Sequence, residues 1–242
     1  VNLAKASIAE AQAALLADSI ETELHPLSET ALKVTQGARA VARSQAYLTG
    51  LVELQDAGSQ AIIDALDLKD GMKILDYCAG GGGKALAMAA QADVDMTAHD
   101  IDAARMQDIA PRASRAGASI TTARLSELAT DYDLVLCDAP CSGSGSWARA
   151  PQAKWMLQDT RLEDLTALQA RILDDVAPRV AVGGALAYAT CSLFEVENSL
   201  QVSAFLARHP EFELNHDRLI TPLEGGDGFY VAVMTKKAQV QP

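Results

Sequence analysis

Three short stretches of this chain set chemically competent residues among turn formers. The first is Cys78-Ala79-Gly80-Gly81-Gly82-Gly83-Lys84, between an apolar run and a helical one. Glycines there let the backbone turn sharply and approach a ligand, with a helix N-terminus behind them. Three ligands compete for such a loop. A P-loop needs GxxxxGK[ST], but Gly83-Lys84 is followed by Ala85 and the first-glycine position is Cys78, so that motif fails at both ends. A dinucleotide fingerprint fits loosely as Gly80-x-Gly82-x-x-Ala85. The third candidate is S-adenosylmethionine, bound by a strand-end glycine loop with an acid closing the next strand. Asp100 stands 20 residues after Gly80 and can accept both ribose hydroxyls of either cofactor. A bare turn is a poor reading, because four consecutive glycines cost folding entropy. The loop alone does not choose between the last two ligands.

The other two stretches are Asp138-Ala139-Pro140-Cys141-Ser142-Gly143-Ser144-Gly145 and Ala189-Thr190-Cys191-Ser192, each following an apolar strand-like run. A lone Cys is more often a small buried hydrophobe than a nucleophile, and Cys78 and Cys137 read that way. Cys141 and Cys191 are harder to dismiss, since both lie past strand ends on the same rim as the glycine loop.

Positioning these residues requires a regular scaffold. From Lys73 onward, strands at Ile74–Cys78, Val94–His99, Ser119–Ala123, Leu134–Cys137, Ala185–Ala189 and Phe229–Thr235 alternate with helices at Lys84–Gln91, Asp102–Ala116, Arg161–Val176 and Glu195–Arg208. That alternation predicts a doubly wound, mostly parallel sheet that binds ligands at the carboxyl ends of its strands. Upstream, residues 3–17 read as a helix. Strands are expected at Ile20–His25, Ala31–Thr35 and Leu51–Gln55, and a helix from Ala61 to Leu66. We divide the chain into an α+β accessory segment, 1–58, and a catalytic domain, 59–242.

Composition bounds the function from outside. The chain has 242 residues, 49% of them apolar, with 20 basic and 32 acidic side chains for a net charge of −12. Disorder and low complexity are excluded. No apolar run approaches the ~20 residues of a membrane span, and no signal peptide opens the chain. Four scattered cysteines without a CxxC pair predict a reducing, cytoplasmic setting. The first residue is Val1, which we read as a start inside a longer protein. The acidic balance argues against a general nucleic-acid binder, but charge is local as well as global. Residues 30–52 hold Lys33, Arg39 and Arg43 and no acid; 103–124 hold Arg105, Arg112, Arg115 and Arg124 against Asp108; 142–162 hold Arg149, Lys154 and Arg161 against Asp159.

Taken together, the motifs resemble those of the Sun/RsmB family of RNA cytosine-5 methyltransferases. The resemblance rests on Leu75 through Lys84, Asp138-Ala139-Pro140-Cys141-Ser142-Gly143 and Tyr188-Ala189-Thr190-Cys191-Ser192. Val52 through Gln60, Arg149-x-Pro151, Lys154-Trp155, Glu197-Asn198 and Gly226-Asp227-Gly228-Phe229 support it, in the same order from about residue 50 to 236. The resemblance implies an α/β, Rossmann-like methyltransferase fold with a seven-stranded sheet and S-adenosylmethionine as cofactor. It also implies methyl transfer to carbon 5 of a cytosine in 16S ribosomal RNA, and a bacterial enzyme lacking its N-terminal RNA-binding domain. Carbon 5 of cytosine is a poor nucleophile; a thiolate adding to carbon 6 makes it enamine-like. By resemblance Cys191 is that thiolate and Cys141 assists proton removal and product release. Asp138 would bond the cytosine edge, and Lys84 would partner the base or the carboxylate and depress a thiol pKa.

For the cofactor, the resemblance implies Cys78, Ala79, Gly80, Gly81, Gly82, Gly83, Lys84, Asp100, Ile101, Arg105 and Asp138, with Asp100 on the ribose and Ile101 beside the adenine. Arg149, Lys154 and Gln55 are the expected RNA contacts, and no metal is expected. The chain departs from the pattern in places. The glycine loop lacks the family's Pro and Thr, which predicts modestly weaker cofactor binding. Arg124 stands where an acid near the adenine is common, so either Ser126 or Glu127 substitutes or that contact is absent. Of the usual Pro-Glu-Glu-Asn, only Glu197-Asn198 is kept. A target base must leave its stack to reach a thiol, so a single-stranded or loop cytosine is the expected partner, with no membrane partner and a monomeric protein. The net charge predicts that this chain alone binds RNA weakly. The alternatives are a methyltransferase of the same fold acting on transfer RNA, DNA or protein, and a non-catalytic RNA-binding assembly factor. Two intact thiols speak against the latter, and no hydride-transfer site supports an oxidoreductase.

Overall fold

A computed structural model describes residues 1–238. Chain order begins with α1 (Ile8–Ala17), β1 (Glu21–Leu24), β2 (Leu32–Gln36), α2 (Gln45–Leu48) and α3 (Ala57–Asp64). Then come β3 (Lys73–Asp76), α4 (Gly83–Gln91), β4 (Asp95–Ala98), α5 (Ile109–Ala116), β5 (Ile120–Thr122) and β6 (Tyr132–Asp138). The last third holds α6 (Pro151–Met156), α7 (Asp159–Val176), β7 (Val180–Thr190), α8 (Ser199–Arg208), β8 (Phe212–Ile220) and β9 (Phe229–Lys236). Among the described residues no helix is long and apolar enough to cross a membrane.

The large sheet runs β5-β4-β3-β6-β7-β9-β8, with β3 to β7 mutually parallel and β9 antiparallel to both its neighbours. Strand order reverses between β3 and β6, and an open α/β sheet presents its ligand crevice at that switch point. Alternation along each strand feeds two cores. Leu75, Val135, Cys137, Leu186 and Tyr188 face α7 and α8 through Leu173, Val176, Val202 and Phe205. Ile74, Leu134, Leu136, Ala187 and Val231 face α3 and α4 through Ile62, Ile63, Ala85 and Met88. Cys137 is wholly buried among them, as its reading as an apolar filler requires.

Several expected boundaries moved. The first helix starts at Ile8, not Leu3, because Ser7 and Glu10 form a reciprocal capping box. Leu51–Gln55 is not a strand. It is extended chain with no sheet partner: Val52 enters a small core with Leu15, Ile20 and Val41, while Glu53 and Gln55 take side-chain partners. α3 begins at Ala57, four residues before the expected start, because Asp56 caps it through Gly58 N–H. The single helix expected over 102–116 is split into a 3-10 turn (Ala103–Asp108) and α5, and the one expected over 195–208 into a turn at Glu195–Glu197 and α8. The seventh strand, β8, went unread, since only Phe212 and Ile220 at its ends are buried. Its polar residues read as loop, yet charged side chains suit an edge strand.

The first 56 residues dock on α5. Asn2 Nδ2 donates to the Ala116 carbonyl at 2.8 Å and Lys5 Nζ to that of Arg115 at 2.8 Å, satisfying carbonyls that end a helix. Arg115 in turn bonds Glu53 at 2.6 Å and lies over the Tyr47 ring. Gly50, at φ 76°, sits so close that a Cβ there would lie 2.0 Å from the Arg115 oxygen. Gly50→Ala should therefore lose about 1–2 kcal/mol to left-handed backbone strain and a further ~1–3 to overpacking. Gly183→Ala, at φ 83° in open space, should lose only the former. Urea unfolding of both variants checks this; equal losses would show that the docking contact is loose.

Candidate active site

β6 and β7 pair in parallel with Asp138 opposite Ala189, and Ala139 N–H continues the ladder to the Ala189 carbonyl at 2.9 Å. Both chains then turn away at the same rim. Gly143 takes φ 69° and Gly145 N–H bonds the Cys191 carbonyl at 2.9 Å, folding the first turn onto the second. Gly145 is packed so tightly against Gly228 that a Cβ would lie 2.0 Å from that carbonyl. The two turns bring the sulfurs of Cys141 and Cys191 to 3.3 Å. The pair is electrostatically unequal. A hydrogen bond from Cys141 pulls the Cys191 thiol below its ordinary value against the effect of burial, with Lys84 helping. Cys141 is pushed far up, first by that same hydrogen bond and then by burial. Cys191 is thus the more acidic of the two thiols.

Lys84, in the first turn of α4, reaches Asp138 Oδ2 at 2.5 Å from a largely buried position. Burial disfavours its charge, but Asp138 more than compensates and the ammonium is held up. The third member of this group was not foreseen. Asp76, ending β3, is buried and neither carboxylate oxygen has a hydrogen-bond partner among the described residues. Burial pushes its carboxyl up to about 7, with Asp138 acting in the same direction and Lys84 against it.

A cleft of about 260 Å3 opens beside these groups, lined by the backbone of Cys78 to Gly81, by Gly83, and by Asp76, Lys84, Arg105 and Asp138. Gly80 and Gly82 adopt φ 51° and 77°, and at Gly82 a Cβ would press on Ile109 at 2.8 Å. Gly82 therefore packs against α5 and does not line the cleft, unlike the other loop residues expected to hold a cofactor. Asp100, buried at the end of β4, accepts from Gly80 N–H and Asp102 N–H at 2.9 Å each and lies 3.2 Å from Arg105. Ile101 beside it is 98% exposed. The loop is also held from outside: Arg112 donates to the Gly81 carbonyl and Gln55 to that of Gly83 at 3.2 Å.

Not all expected partners converge. Gln55, expected with the RNA contacts, lies at the glycine loop and bonds Ser59 as well. Arg149 is paired through Nε and Nη2 with the buried Asp227. Lys154, on the exposed α6, lies 6.0 Å from the Trp147 ring and 5.6 Å from Trp155. Glu127 accepts from Arg124 N–H at 2.7 Å, which occupies the acid expected to serve the adenine. Ser126 is exposed. Among the described residues no cluster of His, Cys, Asp or Glu could hold a metal ion.

The strand order, the switch-point cleft and the acid at the end of β4 define the Rossmann-like fold of S-adenosylmethionine-dependent methyltransferases. Among solved structures, the crystal structure of PH0851 superposes with a TM-score of 0.89 at 28% identity, covering 98% of this chain and 58% of that one. A methyltransferase homolog protein from Pyrococcus horikoshii, 24% identical, shares the fold with a TM-score of 0.82 over 98% of this chain and 85% of its own. The family described as 16S rRNA methyltransferase RsmB/F matches residues 63–235, and the chain belongs to that family. The ribosomal RNA small subunit methyltransferase B of Yersinia pseudotuberculosis is 34% identical over 235 residues, 90% of this chain and 54% of that protein. The chain thus spans about half the length of the curated relatives it matches.

The residues fit the cofactor of this fold. S-adenosylmethionine carries a sulfonium and an ammonium as well as a carboxylate. The cleft offers the carboxyl groups of Asp76 and Asp138, the former buried with no hydrogen-bond partner among the described residues, together with the cations Lys84 and Arg105. The buried Asp76 also leaves a mark on stability. Its folded-state carboxyl holds a proton up to about pH 7, whereas the unfolded chain releases it near 3.8. Stability from this group therefore falls as pH rises between those values and levels off above them. Asp76→Asn removes the effect, so the variant's advantage in urea midpoint should grow from pH 4 to 7. Parallel profiles would contradict the assignment.

Proposed function

We propose that this chain is the catalytic part of an RNA (cytosine-5) methyltransferase acting on ribosomal RNA, with S-adenosylmethionine as methyl donor. The carrying observation is the pair of sulfurs 3.3 Å apart, close to the Lys84 and Asp138 side chains that line the cleft, with Cys191 the more acidic of the two. In this reading residues 59–242 form the catalytic domain and 1–58 an accessory segment contacting RNA. The name of the Yersinia relative, a ribosomal RNA small subunit methyltransferase, supports ribosomal RNA as the substrate class.

The residues divide the work by their geometry. Cys191 as thiolate adds to carbon 6 of the cytosine, and the ring electrons pass to carbon 5. Bound in the cleft, S-adenosylmethionine supplies the methyl group that carbon 5 takes. Asp138 accepts a hydrogen from the exocyclic amino group of cytosine, which uracil lacks, and Lys84 fixes that carboxylate. Once Cys191 is covalently bound its negative charge is gone and Cys141 can ionise. As thiolate it takes the proton of carbon 5, the carbon 6–sulfur bond breaks to restore the ring, and the Cys141 thiol so formed stands beside the departing sulfur. A thiol beside the departing sulfur makes Cys191 a better leaving group, because a hydrogen bond stabilises the thiolate that forms. Gly80, Gly81, Gly83 and Asp100 hold the nucleoside part of the cofactor, with Ile101 beside the adenine. Arg149 and Lys154 flank the path of the RNA strand out of the Cys141 turn, where phosphates need cationic partners.

The test uses the chain, tritiated S-adenosylmethionine and unmodified ribosomal RNA, with mapping of 5-methylcytosine. Cys191→Ala should reduce methylation to background. Cys141→Ala should still bond to the base but release it slowly, leaving a protein–RNA adduct that survives denaturing gels. Wild-type turnover by Cys191→Ala, or label appearing in protein or on another base, would sink the reading.

A further inference from the structure

Glu197 lies in the turn between β7 and α8, has no solvent exposure, and no lysine or arginine pairs with it among the described residues. A carboxylate in such a place is costly unless its oxygens are fully hydrogen-bonded. Here they are. Oε1 accepts from Ser142 N–H at 2.8 Å and from Gln169 Nε2 at 3.0 Å. Oε2 accepts from the hydroxyls of Ser142 and Ser192, both at 2.5 Å. Four donors fill the capacity of one carboxylate.

The identity of those donors gives the arrangement its meaning. Ser142 follows Cys141 and Ser192 follows Cys191, so one oxygen atom ties together the residues next to both thiols. Gln169, buried on α7, donates its other amide hydrogen to the Pro140 carbonyl at 3.0 Å and holds the first turn from behind. Asn198 receives the Thr190 hydroxyl at 2.6 Å and donates to the Ser192 carbonyl at 2.9 Å, holding the second. The two turns belong to different strands, and the 3.3 Å between their sulfurs depends on how they sit against each other.

We propose that Glu197 is a positioning residue that clamps the two cysteine turns together and thereby keeps Cys141 aimed as a donor at Cys191. An amide in its place must donate to at least one serine oxygen, and an apolar residue leaves both serines without their acceptor. Either change frees the turns to separate. The consequence for turnover rests on the proposed role of Cys191; the clamp itself does not.

Alkylation by iodoacetamide tests it without RNA or cofactor, using the 242-residue chain from pH 6 to 10 and assigning peptides by mass. Groups facing Cys191 are Cys141, Asp138 and Lys84, with Arg149 near enough to feel its charge, and none of them is substituted in the variants used. In the wild type Cys191 should react well before Cys141. In Glu197→Gln, and independently in the Ser142→Ala/Ser192→Ala double variant, the Cys191 midpoint should rise by about one pH unit. Its rate at pH 7 should then fall about threefold, the loss of thiolate being offset in part by higher intrinsic nucleophilicity. Cys141 should gain on it. Unchanged midpoints and selectivity in a folded variant, with only a lower melting temperature, would overturn the clamp; the double variant serves if Glu197→Gln does not fold. If the shift occurs while methylation is unaffected, the clamp stands and the role given to Cys191 falls.

Discussion

The parallel pairing of β6 with β7 is the constraint on which the rest depends. It sets Asp138 opposite Ala189 at the strand ends, so the two cysteine turns leave the sheet side by side. The register is fixed by burial on both faces: Val135, Cys137 and Leu186 fill one core, Leu134, Leu136 and Ala187 the other. A slip by one residue would exchange the two sets and expose the wrong side chains to each layer of helices. Hydrophobic packing some distance from the site thus sets which sulfur meets which, and the hydrogen bonds around the turns refine the distance.

Strand order supplies the second half of the site. Because β3 lies on the other side of β6, the glycine loop and Asp76 open onto the same crevice as Asp138. Charges gathered there are close and poorly solvated: burial pushes the Asp76 carboxyl up, Asp138 holds the Lys84 ammonium up against burial, and the hydrogen bond from Cys141 draws the Cys191 thiol down. The net charge of −12 bears little on this local balance. Arg112 and Arg115, prominent in a basic stretch, turn out to hold the glycine loop and the chain before α3 through Gly81 and Glu53. A basic run in a sequence does not say whether its charges face a ligand or a neighbouring loop.

Legibility followed burial. The alternating strands and helices after Lys73 were readable because their apolar periodicity faces two cores, and the motifs at the strand ends placed Cys141, Cys191, Asp138, Lys84 and Asp100 on one rim. β8 was hidden because most of its residues are polar and only those at its two ends are buried. Leu51–Gln55 misled in the other direction, since an alternating pattern can serve a docked extended segment as well as a strand. Asp76 and Glu197 stood inside quoted motifs, yet nothing in their spacing reveals that one is buried without a partner and the other with four. Those are properties of the packed chain.

The central claim, that Cys191 is the sulfur that attacks the base, is tested most directly by trapping the intermediate. RNA in which cytosine carries fluorine at carbon 5 cannot lose a proton there, so an adduct formed with S-adenosylmethionine present persists and can be digested and sequenced by mass spectrometry. The account predicts a methylated fluorocytosine attached to the peptide bearing Cys191. Attachment to the peptide bearing Cys141, or to neither, would contradict it.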